Sequence, residues 1–223
     1  MKKSIEIELK FEILDPSQIE HFLESLKFVL KKRIVDVYLD TPDANLFKQG
    51  IFIRIRNNKK LDFKFNPKHF GGHGSYCLHD HCQELSFALP LKTDAVAAAN
   101  RICSVLGLKK IIDPNLAGLK QANHLIESVV IDKLRRSYQD SKFSYDLDDV
   151  KNLGLFLEIE SLVSTDENIE KIKKEMITRL KNLKIKHLNV GYNEIYWRKH
   201  NFNLYLQGLY LLEEDYQKYR QGK

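Results

Sequence analysis

The sequence predicts an α+β protein: a closed eight-stranded antiparallel β-barrel, or tunnel, with a charged interior and a cover of flanking helices. Three observations lead to this prediction. Alternation of apolar and polar residues, the period of a strand, dominates residues 5 to 163. Charged side chains recur on one face of successive strands, and helical spacing of apolar residues appears between and after them. A closed barrel would gather the charged faces of all eight strands around one interior.

Eight segments follow the strand period and are the predicted barrel strands. Each places apolar side chains on one face and polar or charged side chains on the other. Asn57 to Lys60, between the third and fourth segments, predicts a tight hairpin turn. The segments are Ile5–Glu12, Arg33–Asp40, Ile51–Asn57, Leu61–Asn66, Cys77–Leu89, His124–Gln139, Lys142–Val150 and Leu155–Val163.

Helices are predicted where apolar residues recur every three or four positions. Asp15 and Pro16 offer an N-cap followed by proline at the first helical position. Gly107 is a stop signal, and Ser164 with Glu167 forms a capping box. The predicted helices run from Asp15 to Leu30, from Asp94 to Leu106, from Ser164 to Leu183, and from Asn193 to about Tyr219 in two pieces around Asn201.

The composition is that of an ordinary soluble globular protein. Of the 223 residues 43% are hydrophobic, which excludes an intrinsically disordered chain. We expect no secretion signal and no membrane-spanning segment, because charges interrupt every apolar run. Three cysteines without a signal favour reduced thiols and a cytoplasmic location. Without repeats or linkers, residues 1–223 are expected to form a single domain, with barrel strands in about 5–163 and a helical region in about 165–220.

Charged residues occur as pairs two positions apart, so both members of a pair share a strand face. A solvated face would carry a looser mixture of polar residues. Paired carboxylates supply oxygen ligands for a hard divalent cation such as Mg²⁺ or Mn²⁺. Paired basic side chains can hold phosphate oxygens. Together they predict a site for a metal–polyphosphate, built from the acidic pairs Glu6/Glu8, Asp146/Asp148 and Glu158/Glu160 and the basic pairs Arg54/Arg56 and Lys133/Arg135.

These residues resemble the CYTH family, also called the triphosphate tunnel metalloenzymes. The family signature ExExK matches the first strand, and the family's DxYYDTP…LRxR, KxRxxY and GxFxEIE blocks have counterparts in the same order. Several blocks in family order are far more specific than ExExK alone. The matching segments are Glu6–Lys10, Asp36–Pro42 followed by Leu46 and Gly50, Ile53–Arg56, the lysine-bearing strand Leu61–Lys64, Lys133–Tyr138, Asp146–Asp148 and Gly154–Glu160.

The resemblance implies a closed tunnel, divalent-metal dependence and a triphosphate-containing substrate. Family members hydrolyse inorganic triphosphate, thiamine triphosphate or nucleoside triphosphates, and class IV adenylate cyclases make cyclic AMP from ATP. Hydrolysis is the favoured interpretation here. A cyclase and a non-catalytic polyphosphate- or nucleotide-binding module stay open as alternatives. Gly191–Asn193 lacks a lysine that some triphosphatases carry near the C-terminal tunnel mouth, which weighs against thiamine triphosphate as the specific substrate.

The resemblance also implies a role for each charged residue. Lys10 would neutralise charge on the phosphoryl or leaving group, while a second metal or a carboxylate of the Glu6/Glu8 pair would orient the attacking water. Glu84 matches an acidic position without an assigned role. The expected ligands of Mg²⁺ or Mn²⁺ are Glu6, Glu8, Asp146, Asp148, Glu158 and Glu160. The expected phosphate-binding residues are Arg54, Arg56, Lys64, Lys133 and Arg135.

The expected binding partners follow from the distribution of charged residues. The net charge of +6 suggests nucleic acid, but the predicted site holds nearly equal numbers of acids and bases, so the excess lies elsewhere. We expect a small-molecule triphosphate as partner, only weak and salt-sensitive contact with nucleic acid, and no membrane. A homodimer stays open. Histidines and cysteines between His69 and Cys82 favour a polar loop, with a zinc site as the alternative.

Overall fold

The computed structural model describes residues 4–67, 82–164 and 168–219. Within these ranges lie nine strands: β1 Ser4–Ile13, β2 Lys27–Asp40, β3 Phe52–Arg56, β4 Lys60–Phe65, β5 Gln83–Ala88, β6 Ile126–Gln139, β7 Ser144–Val150, β8 Gly154–Ser164 and β9 Ile185–Leu188. The same ranges contain eight helices: α1 Pro16–Glu24, α2 Asn45–Lys48, α3 Thr93–Val105, α4 Ala117–Ala122, α5 Ile169–Leu180, α6 Tyr192–His200, α7 Phe202–Tyr205 and α8 Glu213–Tyr219.

The nine strands form one antiparallel sheet in the order β5-β4-β3-β2-β6-β7-β8-β1-β9. Because β5 and β9 stand at opposite ends of this order, the sheet of described strands is open, and the prediction of a closed eight-stranded barrel is wrong. The unforeseen β9 pairs with β1 from Lys10 to Ile13. Alternation along a strand reports which side chains share a face, but closure depends on pairing between the outermost strands, which alternation does not report. The α+β class is confirmed.

Each predicted strand overlaps a strand of the structure. The part of Cys77–Leu89 before Cys82 lies outside the described residues. By contact density the chain divides into two compact units. The first unit comprises residues 1–34 and 132–189, and the second comprises residues 35–131 and 190–223. The prediction of one domain over the whole chain stays a prediction.

In the first unit, helices cover the apolar faces of the strands. Ile7 and Leu9 of β1 are buried in a core that also contains Tyr145 of β7 and Leu157 of β8. The amphipathic face of α1 contributes Ile19 and that of α5 contributes Met176 among others. The charged side chains of these strands therefore point to the opposite face of the sheet.

The second unit repeats this division on β3, β4 and β5. Ile53, Leu61 and Phe63 are fully buried in a core shared with Ala99 and Cys103 of α3. The predicted Ala-rich helix is therefore confirmed, and Gly107 follows its end with a positive φ of 70°. Its N-cap is Lys92 rather than Asp94, which lies inside the first turn.

Helix α1 ends six residues earlier than predicted. Turn hydrogen bonds from Ser25 N to Phe22 O and from Leu26 N to Leu23 O close it, and β2 begins at Lys27. Phe28 is 52% exposed, so it does not belong to a buried helical stripe. Aromatic and β-branched residues favour strands, and three apolar residues in a row match either period.

Asparagine side chains cap two further helix starts, those of α5 and α7. The N-cap of α5 is Asn168, whose Oδ1 accepts a hydrogen bond from Lys171 N at 3.1 Å. The predicted capping box spans residues 164–167, of which 165–167 lie outside the described part of the chain. The break at Asn201 is confirmed, since its Oδ1 accepts a hydrogen bond from Leu204 N at 3.0 Å.

None of the described helices is long and apolar enough to cross a membrane.

The core of the first unit can be tested with neighbouring residues of α5. Met176 is 0% exposed, whereas Ile177 is 53% exposed. Met176→Ala should lower the free energy of unfolding by about 2–5 kcal/mol, because it leaves a cavity in the core. Ile177→Ala should change it by only about 0.5 kcal/mol. Urea unfolding followed by circular dichroism measures both, and equal losses would contradict the packing of α5.

Two glycines separate backbone strain from packing in the second unit. Gly50 and Gly107 have φ values of 69° and 70°. A Cβ on Gly50 would lie 2.6 Å from Leu209 and 2.7 Å from Tyr210, whereas one on Gly107 would meet nothing within 4 Å. Gly107→Ala should therefore cost about 1 kcal/mol of stability, from the strained conformation alone. Gly50→Ala should cost about 1–3 kcal/mol more, from overpacking. Chemical unfolding of the two variants provides the measurement, and equal costs would contradict the close approach at Gly50.

Candidate functional site

In the first unit, four adjacent strands place charged residues side by side. Residues directly opposite each other in an antiparallel pair point to the same face of the sheet. The pairing of β6, β7, β8 and β1 therefore brings together side chains that are far apart in the sequence. The opposed pairs are Arg135 and Asp148, Asp146 and Glu158, Lys10 and Glu158, and Glu8 and Glu160.

Three glutamates form the candidate metal site. Carboxylate oxygens of Glu8, Glu158 and Glu160 lie within 4.8 Å of one another. Glu158 is buried, Glu160 is half-buried and Glu8 is exposed, so the cluster is open to solvent on one side. An all-oxygen donor set suits Mg²⁺ or Mn²⁺, and an open side suits an ion that keeps several waters. The donor chemistry of this glutamate cluster therefore fits the expected metal.

Lys10 lies beside the glutamate cluster. Its Nζ is 3.0 Å from Glu158 Oε1 and 3.5 Å from Glu8 Oε1. The side chain is 12% exposed. Lys10 is thus held by two of the three clustered glutamates. The sequence predicted a charge-neutralising role for this residue.

Two further cations are held by the aspartates of β7. Asp148 is fully buried and accepts hydrogen bonds from Lys133 Nζ at 2.5 Å and from Arg135 Nε at 2.7 Å. Arg135 also contacts Asp146 and Glu158. Among the described residues, Asp146 and Asp148 are outside the glutamate cluster, and both accept hydrogen bonds from cations of β6. Their predicted metal-binding role stays a prediction.

The electrostatics keep Glu158 ionised. Burial opposes its charged form, but the positive charges of Lys10, Lys133 and Arg135 outweigh burial and hold the pKa of Glu158 well below its usual value. For Lys133 burial dominates and lowers the pKa of the ammonium, against the attraction of Glu158 and Asp148. A carboxylate that is ionised at neutral pH is ready to bind a metal.

In the second unit, both predicted arginines are paired with carboxylates. Arg54 donates to Asp62 Oδ2 from Nε at 2.9 Å and to Glu84 Oε1 from Nη2 at 2.7 Å. Arg56 binds Asp36 with two hydrogen bonds of 2.7 and 3.0 Å. Burial works against both guanidiniums, yet the surrounding negative charges raise the pKa of Arg54 and of Arg56. The two side chains are therefore charged but internally neutralised.

Lys64 differs from the two arginines. It is half-buried on β4 and lies opposite Glu84 in the register with β5, yet it makes no ion pair with the residues that the structure describes. Glu84, for which the sequence provided no role, is a partner of Arg54. Of the predicted phosphate ligands in this unit, Lys64 is thus the one that could bind a phosphate without giving up an ion pair with a described residue.

Sequence reasoning did not assign Asp36 or Asp62. Both are 2% exposed, and Ser86 Oγ donates to Asp62 Oδ1 at 2.6 Å. A signal was present, because Asp62 is two positions before Lys64 and Asp36 begins the DxYYDTP-like segment. Asp40, in the same segment, has a different function. It accepts hydrogen bonds from the backbone of Thr41, Leu46 and Phe47 and so holds the start of α2.

Two predicted features lie outside the described residues. The side chain of Glu6 is not described, although its backbone belongs to β1 opposite Leu162. Of the stretch between His69 and Cys82, the described part contains only Cys82, whose Sγ lies 3.3 Å from Tyr210 Oη. A polar loop and a zinc site therefore both stay open for that stretch.

Comparison with known protein families matches residues 4–190 to the CYTH domain. This chain belongs to the CYTH family. A relative from Methanocaldococcus jannaschii, named as a putative adenylate cyclase, is 27% identical over 191 residues, covering 83% of this chain and 93% of the relative. The predicted family is thereby confirmed.

Solved structures share the fold of this CYTH chain. A protein from Pyrococcus horikoshii has a TM-score of 0.58 at 22% identity, covering 88% of this chain and 100% of that chain. A Hippeastrum protein, described as a putative adenylyl cyclase with a dominant triphosphatase activity, has a TM-score of 0.58 at 16% identity, covering 87% of this chain and 96% of that chain. Triphosphatase and adenylate cyclase descriptions thus both occur among similar proteins.

The buried charge network can be tested at two adjacent aspartates of β7. Asp148→Asn removes the charge that holds Lys133 and Arg135, and breaking a buried ion pair should lower the free energy of unfolding by about 3 kcal/mol. Asp149→Asn alters an exposed neighbour and should change it by at most about 0.5 kcal/mol. Urea denaturation compares the two variants. If Asp148→Asn is as stable as Asp149→Asn, the network does not support the fold.

Proposed function

We propose that this CYTH protein hydrolyses a triphosphate-containing small molecule in a reaction that depends on a divalent metal. One observation carries the proposal: the glutamate cluster of Glu8, Glu158 and Glu160 stands beside the cations Lys10, Lys133 and Arg135. Oxygen ligands for a metal and donors for phosphate oxygens are the two requirements of phosphoryl transfer. The triphosphatase description of the Hippeastrum protein supports hydrolysis over cyclisation.

The glutamate cluster would hold Mg²⁺ or Mn²⁺, with Glu6 as a further expected ligand. When bound, the metal would neutralise phosphate charge and promote attack by water. The buried position of Glu158 and the exposed position of Glu8 fit a site that keeps one side open for a ligand. Asp146 and Asp148 would keep Arg135 in place, since both accept hydrogen bonds from its guanidinium.

The cations of the first unit would bind and orient the phosphate chain. Phosphoryl transfer needs little covalent chemistry from the protein, so positioning and charge neutralisation supply most of the rate. Lys10, Lys133 and Arg135 carry donors next to the glutamate cluster. The carboxylate of Glu8 is exposed and would orient the attacking water.

A constraint applies to the phosphate-binding residues that the sequence predicts in the second unit. Arg54 and Arg56 are held by Asp36, Asp62 and Glu84. A phosphate would therefore have to share these guanidiniums with the carboxylates or displace them, which costs binding free energy. Lys64 has no such competitor among the described residues. Within the second unit, we therefore expect Lys64 to bind phosphate more readily than either arginine.

A class IV adenylate cyclase is the second candidate, and the name of the Methanocaldococcus jannaschii relative, a putative adenylate cyclase, supports cyclase activity. In that reaction the ribose 3′-hydroxyl loses its proton and attacks the α-phosphate, and the bond to the β-phosphate breaks to release pyrophosphate. Purified protein should be incubated with inorganic triphosphate, thiamine triphosphate and ATP, each with Mg²⁺ or Mn²⁺. Phosphate release supports the hydrolase, and cyclic AMP detected by mass spectrometry without phosphate release supports the cyclase. Tight triphosphate binding without turnover would instead indicate a binding module.

The metal site gives a specific prediction for activity. Glu160→Gln and Glu158→Gln each remove a ligand charge and should reduce metal-dependent turnover by roughly 100-fold or more, since even outer-shell changes at metal sites cost up to about that much. Glu175→Gln on α5 makes the same chemical change away from the cluster, where Glu175 pairs with Lys142, and should retain turnover. Phosphate release at saturating Mg²⁺ is the measurement, with circular dichroism as the check on folding. Full activity of a folded Glu160→Gln variant would contradict the metal assignment.

A further inference from the structure

Lys10 has an unusual pair of partners. Its ammonium lies 3.0 Å from Glu158 and 3.5 Å from Glu8, and both glutamates belong to the candidate metal cluster. The register of β1 and β8 places it there, because Lys10 is directly opposite Glu158. The side chain is 12% exposed, so these carboxylates rather than bulk water surround much of its charge. Lys10 thus occupies a place where a divalent cation would also be attracted.

A lysine ammonium and a divalent ion cannot share these carboxylates without cost. Two positive charges a few ångströms apart repel strongly in a half-buried site, where the effective dielectric constant is well below that of water. A metal that binds oxygens of Glu8 and Glu158 therefore weakens the electrostatic attraction that holds the Lys10 ammonium beside them. The long, flexible stem of lysine allows the ammonium to move without a change in the backbone.

The other cations of the first unit are anchored differently. Lys133 is bound to the fully buried Asp148, and Arg135 is bound to Asp146 and Asp148 as well as to Glu158. Both aspartates are outside the glutamate cluster. Metal binding would therefore leave Lys133 and Arg135 with their aspartate partners. The ammonium of Lys10, in contrast, pairs with Glu8 and Glu158, which are both members of the cluster.

We propose that Lys10 is an internal counter-ion of the glutamate cluster, which a divalent metal displaces, and that the displaced ammonium then serves the phosphate of the substrate. This inference rests on the metal site of the proposed function. It adds a competition between Lys10 and the metal for the same carboxylates, which the metal site alone does not require. Metal binding would prepare the site for an anion in two ways, by its own charge and by releasing Lys10. The affinities for metal and phosphate are then coupled, and linkage makes this coupling reciprocal.

The test is Mn²⁺ binding in the absence of substrate, measured by isothermal titration calorimetry. Lys10→Met removes the competing charge and keeps the length of the stem, so it should bind Mn²⁺ roughly tenfold more tightly than the wild type. Lys10→Arg keeps the charge and should stay within about threefold of the wild type. Lys181→Met removes an exposed lysine at the end of α5 and should leave the affinity unchanged. Circular dichroism verifies folding, and Lys10→Gln replaces Lys10→Met if the latter does not fold.

The outcomes separate this inference from the proposed function. Tighter Mn²⁺ binding by Lys10→Met, but not by Lys10→Arg, supports the counter-ion. If the wild type binds Mn²⁺ and the folded Lys10→Met variant binds it equally or more weakly, the counter-ion is overturned while the metal site stands. If neither protein binds Mn²⁺, both the metal site and the inference fail.

A second measurement tests the coupling to phosphate. Binding of a non-hydrolysable triphosphate analogue is titrated with and without Mn²⁺, for the wild type and for Lys10→Met. In each protein, the gain is the ratio of analogue affinity with Mn²⁺ to that without it. This gain should be at least about threefold larger in the wild type than in Lys10→Met, because only in the wild type does the metal release a lysine. An equal gain in both proteins would overturn the second half of the inference.

Discussion

The requirement that a buried charge be paired organises the charged face of the first unit. Asp148 is fully buried, and an isolated carboxylate there would be very costly. Lys133 and Arg135, two residues apart on β6, supply the compensation. Arg135 reaches across to Glu158 on β8, and Glu158 in turn holds Lys10 of β1. Cross-strand ion pairs therefore link four strands, and the register of the sheet is what makes each pair possible.

The same requirement bears on ligand binding in the second unit. Arg54 and Arg56 bind buried carboxylates, so their positive charges are already balanced. An anionic ligand would gain little from such a surface unless it brought a cation or shared the existing pairs. In the first unit the glutamate cluster contributes an excess of negative charge next to the cations. A metal–triphosphate, the ligand proposed above, would complement this combination of charges better than a free triphosphate.

Particular residues show what alternation could and could not predict. Ile7, Leu9 and Phe11 share the buried face of β1, and Glu8 and Lys10 share the other, as the period of two requires. Phe28 belongs to β2 rather than to a helix, because a short apolar run fits both periods. Asp62 was missed as a site residue, because its importance comes from its contact with Arg54 across β3 and β4. The four-residue strand β9 was too short to give a periodic signal.

The sequence by itself determined the family, the strand segments and the side chains that share each strand face. These properties are local, since they depend on the order of residue types along one segment. Only the tertiary structure decided which charges meet: that Arg135 holds Asp148, that Arg54 and Arg56 are neutralised, and that Lys10 lies between Glu8 and Glu158. It also decided that the sheet of described strands is open. Partner choice and closure depend on registers between strands distant in sequence, and a period of two contains no information about register.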